Sequence, residues 1–139
     1  MAYCILEDIR QVILDADLIQ LTDDARSGVI NESRMAQAIA SADAEIDGYC
    51  AARYTVPFSP VPPIIKKCSV DIAVYNLHAR KAMSIPEARQ VRYDNAVRIL
   101  KDIASATVSL EEGAATEEKD SAVVDSRRRR FTRHKLKGF

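Results

Sequence analysis

Apolar residues recur along the chain at helical intervals, with no long alternating run. Ile5, Leu6, Ile9, Val12 and Ile13 share one side of a predicted helix, with Glu7 and Asp8 in its first turns, where the helix dipole favours acids. Asp15 to Leu21 predicts a second, short turn of helix, and Thr22-Asp23-Asp24 with Ser27-Gly28 a loop. Asn31 is a good N-cap for a longer helix reaching about Arg53. Met35, Ile39, Ala42, Ile46 and Tyr49 form its apolar stripe. Alanines at 36, 38, 40, 42 and 44 narrow it, and Gly48, costing about 1 kcal/mol relative to Ala, predicts close approach of a neighbouring helix.

The segment Val56 to Pro63 (VPFSPVPP) reads as a rigid crossover, because four prolines remove donors and push the residues before them to extended geometry. Pro62 or Pro63 then opens a helix over about Ile64 to Ala82, where a missing N–H is harmless. Ile65, Cys68, Ile72, Tyr75 and Ala79 line one face, and Val70, Val74 and Leu77 another, so this helix is expected at the centre of the fold. Ser84 and Glu87 match a capping box for a last helix running to about Ala106. Ala96, Leu100 and Ile103 mark its inner side, while Arg89, Arg92, Arg98 and Lys101 lie largely away from it.

Beyond Thr107 the periodicity stops. Glu111, Glu112, Glu117, Glu118, Asp120 and Asp125 meet only Lys119, and SRRRRFTRHKLKGF follows. The reading is therefore an all-α chain. A small bundle of about four helices over residues 1–106 carries a long extended C-terminal tail, acidic and then basic, over residues 107–139.

Composition narrows this picture. A chain of 139 residues with 47% hydrophobic content fits one domain with an appendage, and four glycines and no tryptophan favour helices over a turn-rich sandwich. No run approaches the roughly 20 apolar residues that span a bilayer, so no membrane partner is expected. Glu7 and Asp8 near the start predict no secretory signal. The odd set Cys4, Cys50 and Cys68 then predicts reduced thiols in a cytoplasmic setting, with Cys50 and Cys68 buried as small hydrophobes.

The formal net charge of zero hides a split: residues 127–139 carry seven cations and no acid, leaving 13 bases against 20 acids elsewhere. Such an arm reaches for something negative. Arg127, Arg128, Arg129, Arg130, Arg133, Lys135 and Lys137 suit phosphates or an acidic protein groove, where arginine forks pair with carboxylates. Phe131, Leu136 and Phe139 are interleaved apolar anchors, which a docking peptide uses and a purely electrostatic arm does not.

Nothing comparable points to catalysis. His78 lies on the central helix and His134 in the tail, with no nucleophile–histidine–acid set, no glycine-rich phosphate loop and no paired zinc spacing. Neither enzyme activity, cofactor nor metal is expected.

Several segments in order resemble a family of small neck proteins of Mu-like phages and prophages. They are Tyr3 with Leu6-Glu7-Asp8-Ile9, the run Asp17 to Asp23, Ala42 to Tyr49 leading to Arg53-Tyr54 and the proline-rich turn, and the ending Arg130-Phe131-Thr132-Arg133 with Leu136 to Phe139. The run Arg127–Arg129 departs from that pattern by its length. The resemblance implies a structural virion protein of the neck, a head–tail connector or head-completion protein assembled in the host cytoplasm. It implies a homo-oligomeric ring, commonly twelve-fold, below the portal protein and above a downstream neck or tail-completion protein. Genomic DNA would pass through the lumen without sequence-specific binding, and the tail would dock on the portal or on a neighbouring subunit. The alternative from the residues is a DNA-binding accessory protein that lays the arginine-rich arm on phosphates. A third reading is a decoration or tail-terminator subunit.

Overall fold

The computed structural model describes residues 2–81 and 84–110; the predicted tail beyond residue 110 lies outside them. Among the described residues every regular element is a helix: α1 (Leu6–Arg10), α2 (Asp15–Thr22), α3 (Glu32–Cys50), α4 (Pro63–Ala79) and α5 (Glu87–Ala104). The all-α reading holds, with five helices in place of about four. The first helix is shorter than its apolar stripe: α1 stops at Arg10, with Val12 and Ile13 beyond it, and α2 is the second short helix expected from Asp15, with Asp15 and Asp17 in its first turn.

The ends of α2 and α3 are tied together. Thr22 Oγ1 donates to the Leu18 carbonyl at 2.7 Å and accepts the Asn31 N–H at 3.0 Å. Asn31 in turn caps α3, its Oδ1 taking the Arg34 N–H at 3.1 Å. Asp24, in the loop between the two, pairs with Arg80 at 2.5 Å, Arg34 at 3.3 Å and Lys81 at 3.5 Å. Its bond to Arg80 holds the carboxyl below its ordinary value.

α4 is the centre of the molecule. Pro63 occupies its first turn, as the sequence predicts, and α3 and α5 pack on two sides of it. Ile65, Cys68, Ile72, Ala73 and Leu77 are fully buried there, against Ala42, Ile46 and Cys50 of α3 and Ala96, Leu100 and Ile103 of α5. The proline-rich crossover has cis peptides at Val56-Pro57 and Ser59-Pro60. It also sends Phe58 into the core, where its ring lies 5.9 Å from that of Tyr3 and 6.0 Å from that of Tyr54. Tyr75 of α4 stacks on Tyr93 of α5 at 3.9 Å.

Two local expectations fail. Ser84 and Glu87 make no capping box: Pro86 is the N-cap of α5, in extended geometry, so Ser84 sits two residues too early to reach the first turn. Gly48 is exposed, and a side-chain carbon built on it meets no atom within 4 Å, so no helix approaches it.

Candidate partner-binding surface

The residues expected to carry binding, Arg127, Arg128, Arg129, Arg130, Phe131, Arg133, Lys135, Leu136, Lys137 and Phe139, all lie outside the described residues. What the fold does define is the point from which that segment leaves. α5 ends in a turn closed by the Thr107 and Val108 N–H groups on the Asp102 carbonyl, at 2.9 and 3.2 Å. Ala106 takes a left-handed φ of 67° to make it. Arg53, just past the end of α3, donates to the carbonyls of Ile103 at 2.5 Å and Val108 at 3.2 Å. The Leu110 N–H donates to Tyr54 Oη at 3.1 Å. Residues 108–110 are therefore fastened to the α3 end of the bundle, and the C-terminal segment starts from a fixed place.

A concave surface lies elsewhere on α3. Its exposed alanines Ala36, Ala40 and Ala44 recur at one-turn spacing and face the N-terminal segment, where Ile5 is 57% exposed and Leu6 is half-buried. Met35 and Ile39 form the floor. The space between is an open groove of about 670 Å³. The charged residues along it are Glu32, Asp43 and Asp47, with no lysine or arginine. An apolar channel of this kind with one sign of charge at its edge suits an apolar, cationic segment.

A buried polar network fixes the wall of this groove. Asp43, only 9% exposed, accepts the Tyr3 N–H at 3.1 Å and the Ser69 hydroxyl at 2.8 Å. Ser69 Oγ also lies 3.1 Å from Cys4 Sγ; with one proton to give, it donates to the carboxylate and accepts from the thiol. The Tyr3 hydroxyl donates to Asp47 and accepts the Phe58 N–H at 3.1 Å. Residues 2–4 are thus held against both α3 and α4. Burial pushes the Asp43 carboxyl above its ordinary value and outweighs the two hydrogen bonds that favour the anion. It also raises the Tyr3 phenol, helped by the bond to Asp47, and pushes the Cys4 thiol up to about 11.

The other thiols behave alike. Cys68 and Cys50 are fully buried, and desolvation pushes them up to about 11 and about 12. All three are free. Such thiols pack as apolar groups and are poor nucleophiles. Among the described residues no group of three His, Cys, Asp or Glu side chains is placed to hold a metal ion. No described helix is long and apolar enough to cross a membrane. The sequence reading missed the groove and its polar network. The groove is made by two segments, and the contacts of the network join residues 26 to 65 positions apart.

Comparison with known proteins gives these features a setting. The profile of the family described as "Bacteriophage Mu, Gp36" matches residues 3–127. The Mu-like prophage FluMu protein gp36 of Haemophilus influenzae is 29% identical over 113 residues, covering 79% of this chain and 78% of that protein. The matched residues include the groove, the network and the root of the tail, and end at Arg127.

Proposed function

Since the chain belongs to the bacteriophage Mu Gp36 family, we propose that it is a structural protein of the virion neck, a head–tail connector subunit. Membership supports a structural or morphogenetic role in a Mu-like phage. The connector reading adds that the helical bodies assemble side by side as a ring, twelve-fold, below the portal protein and above a downstream neck or tail-completion protein. Genomic DNA passes through its lumen. The C-terminal tail docks on the portal or on neighbouring subunits, with Arg130, Arg133 and the other cations pairing with acids and Phe131, Leu136 and Phe139 filling pockets.

The observation that carries this reading is the family match over residues 3–127. Two features of the molecule agree with it. The body has a self-contained core around α4, as a repeated building block needs. The root of the tail is fastened by Arg53 and Tyr54, so every copy presents its tail from the same place. In a ring, that repetition turns a weak tail contact into a firm one by avidity.

Co-sedimentation with assembled portal rings tests the proposal, comparing the full chain with a chain ending at Ser126, at moderate salt and with nuclease present. Binding by the full chain alone places the contact in the tail, and equal binding places it on the helical body; both support a connector. No binding by either chain contradicts it. Binding to any duplex DNA that weakens steeply with salt would favour the DNA-binding alternative.

A further inference from the structure

The acidic, apolar groove between residues 2–6 and α3 has no occupant within the described residues. We infer that it is the receptor for the chain's own basic C-terminal segment, residues 130–139, supplied by the same subunit or a neighbouring copy. The inference rests on the proposed connector reading and gives its tail a defined docking surface.

The chemistry of the two surfaces is complementary. The groove is lined by small apolar side chains, Ala36, Ala40 and Ala44 on one side and Ile5 on the other, leaving width for aromatic rings. Its charged edge holds Glu32 and Asp47, and no lysine or arginine among the described residues lines it. The segment offers the reverse: Phe131, Leu136 and Phe139 spaced among Arg130, Arg133, Lys135 and Lys137, with no acid. A second copy of the α3 face would set acid against acid, and a nucleic acid would set phosphate against Glu32 and Asp47.

The covalent geometry permits the contact. The last described residue, Leu110, is held by Tyr54 at the C-terminal end of α3. The groove lies along the same helix, which at 19 residues is about 28 Å long. The 19 residues 111–129 reach at most roughly 65 Å, so Arg130 can arrive at the groove of its own or an adjoining subunit.

The test is photo-cross-linking of the full chain alone, with benzoylphenylalanine replacing Phe131 or Phe139, followed by mass-spectrometric mapping. Cross-links concentrated on residues 2–6 and 32–47 are expected, as monomers or as a ladder of joined subunits. Ala40→Lys, an exposed change that adds a cation to the groove, should lower their yield about tenfold, and Ala40→Glu should not. Raising the salt should weaken the cross-link in the parent chain. Labels that land on other surfaces, or that are only quenched by solvent, overturn the inference. Because no portal is present, that outcome leaves the portal-binding result standing, and a failed portal experiment leaves this one standing.

Discussion

The Tyr3 hydroxyl accepts the Phe58 N–H at 3.1 Å, joining residues 55 positions apart, while donating to Asp47. One phenol thus binds the N-terminal segment to the proline-rich crossover and to α3. Tyr3→Phe keeps the ring packing against Phe58 and leaves a buried N–H without its acceptor. It should cost about 1–3 kcal/mol, read as a lower urea midpoint at an unchanged slope. Phe58→Ala, which empties the core behind it, should cost more, about 3–5 kcal/mol.

Ala106 holds a φ of 67° to close the end of α5, a conformation that a side-chain carbon disfavours by about 1–2 kcal/mol. Ala106→Gly should therefore stabilise the protein, by about 0.5 kcal/mol after the greater freedom of glycine in the unfolded chain is counted. Ala106→Val should destabilise it. Thermal unfolding of the two variants beside the parent checks the opposite signs.

The three buried thiols make the fold sensitive to alkali. Their ordinary value is 9.0, and burial pushes them up to about 11 for Cys4 and Cys68 and about 12 for Cys50. Between pH 9 and these values the unfolded chain has lost protons that the native chain keeps. Stability contributed by the thiols is present below pH 9 and falls as the pH rises, by about 1.4 kcal/mol per pH unit for each thiol. Urea titrations from pH 8 to 11 should show the decline, and Cys50→Ala should make it shallower. In the native protein at pH 8, alkylating reagents should label the thiols only as fast as the fold opens.

Arg53 and Tyr54 fasten residues 108–110, so loosening them should affect the tail root more than the body. Arg53→Ala with Tyr54→Phe should speed limited proteolysis between residues 105 and 112. The helical core, which does not use the Leu110 bond, should keep most of its resistance. Equal acceleration of cleavage throughout the bundle would show that these contacts hold the core instead.

How much of this was legible in the sequence varies by element. α3 and α4 were, because Met35, Ile39, Ala42 and Ile46, and Ile65, Cys68 and Ile72, repeat with the helical period and are all buried. The division into α1 and α2 was legible too, since Asp15 to Leu21 reads as a second, separate stretch of helix and α2 spans Asp15–Thr22. What the pattern did not place was the end of α1: Val12 and Ile13, expected on the first helix, lie beyond Arg10. Ser84 misled because a capping box is a local pattern, while Pro86 had already set the extended residue before the helix. Asp43 and Ser69 read as ordinary polar positions on helices; only their meeting with Tyr3 and Cys4 makes them a network. The charge and apolar anchors of the tail were plain in the sequence, whereas the groove needed Ile5 brought beside Ala40.

The central claim is a place in the neck, and cryo-electron microscopy of phage particles assembled with this protein tests it most directly. The expected result is a ring between portal and tail into which the body of α1 to α5 fits, one copy per asymmetric unit, with the α3 groove filled by a strand of density. Particles whose neck holds no density for this body, or that carry it only on the capsid surface, would contradict it.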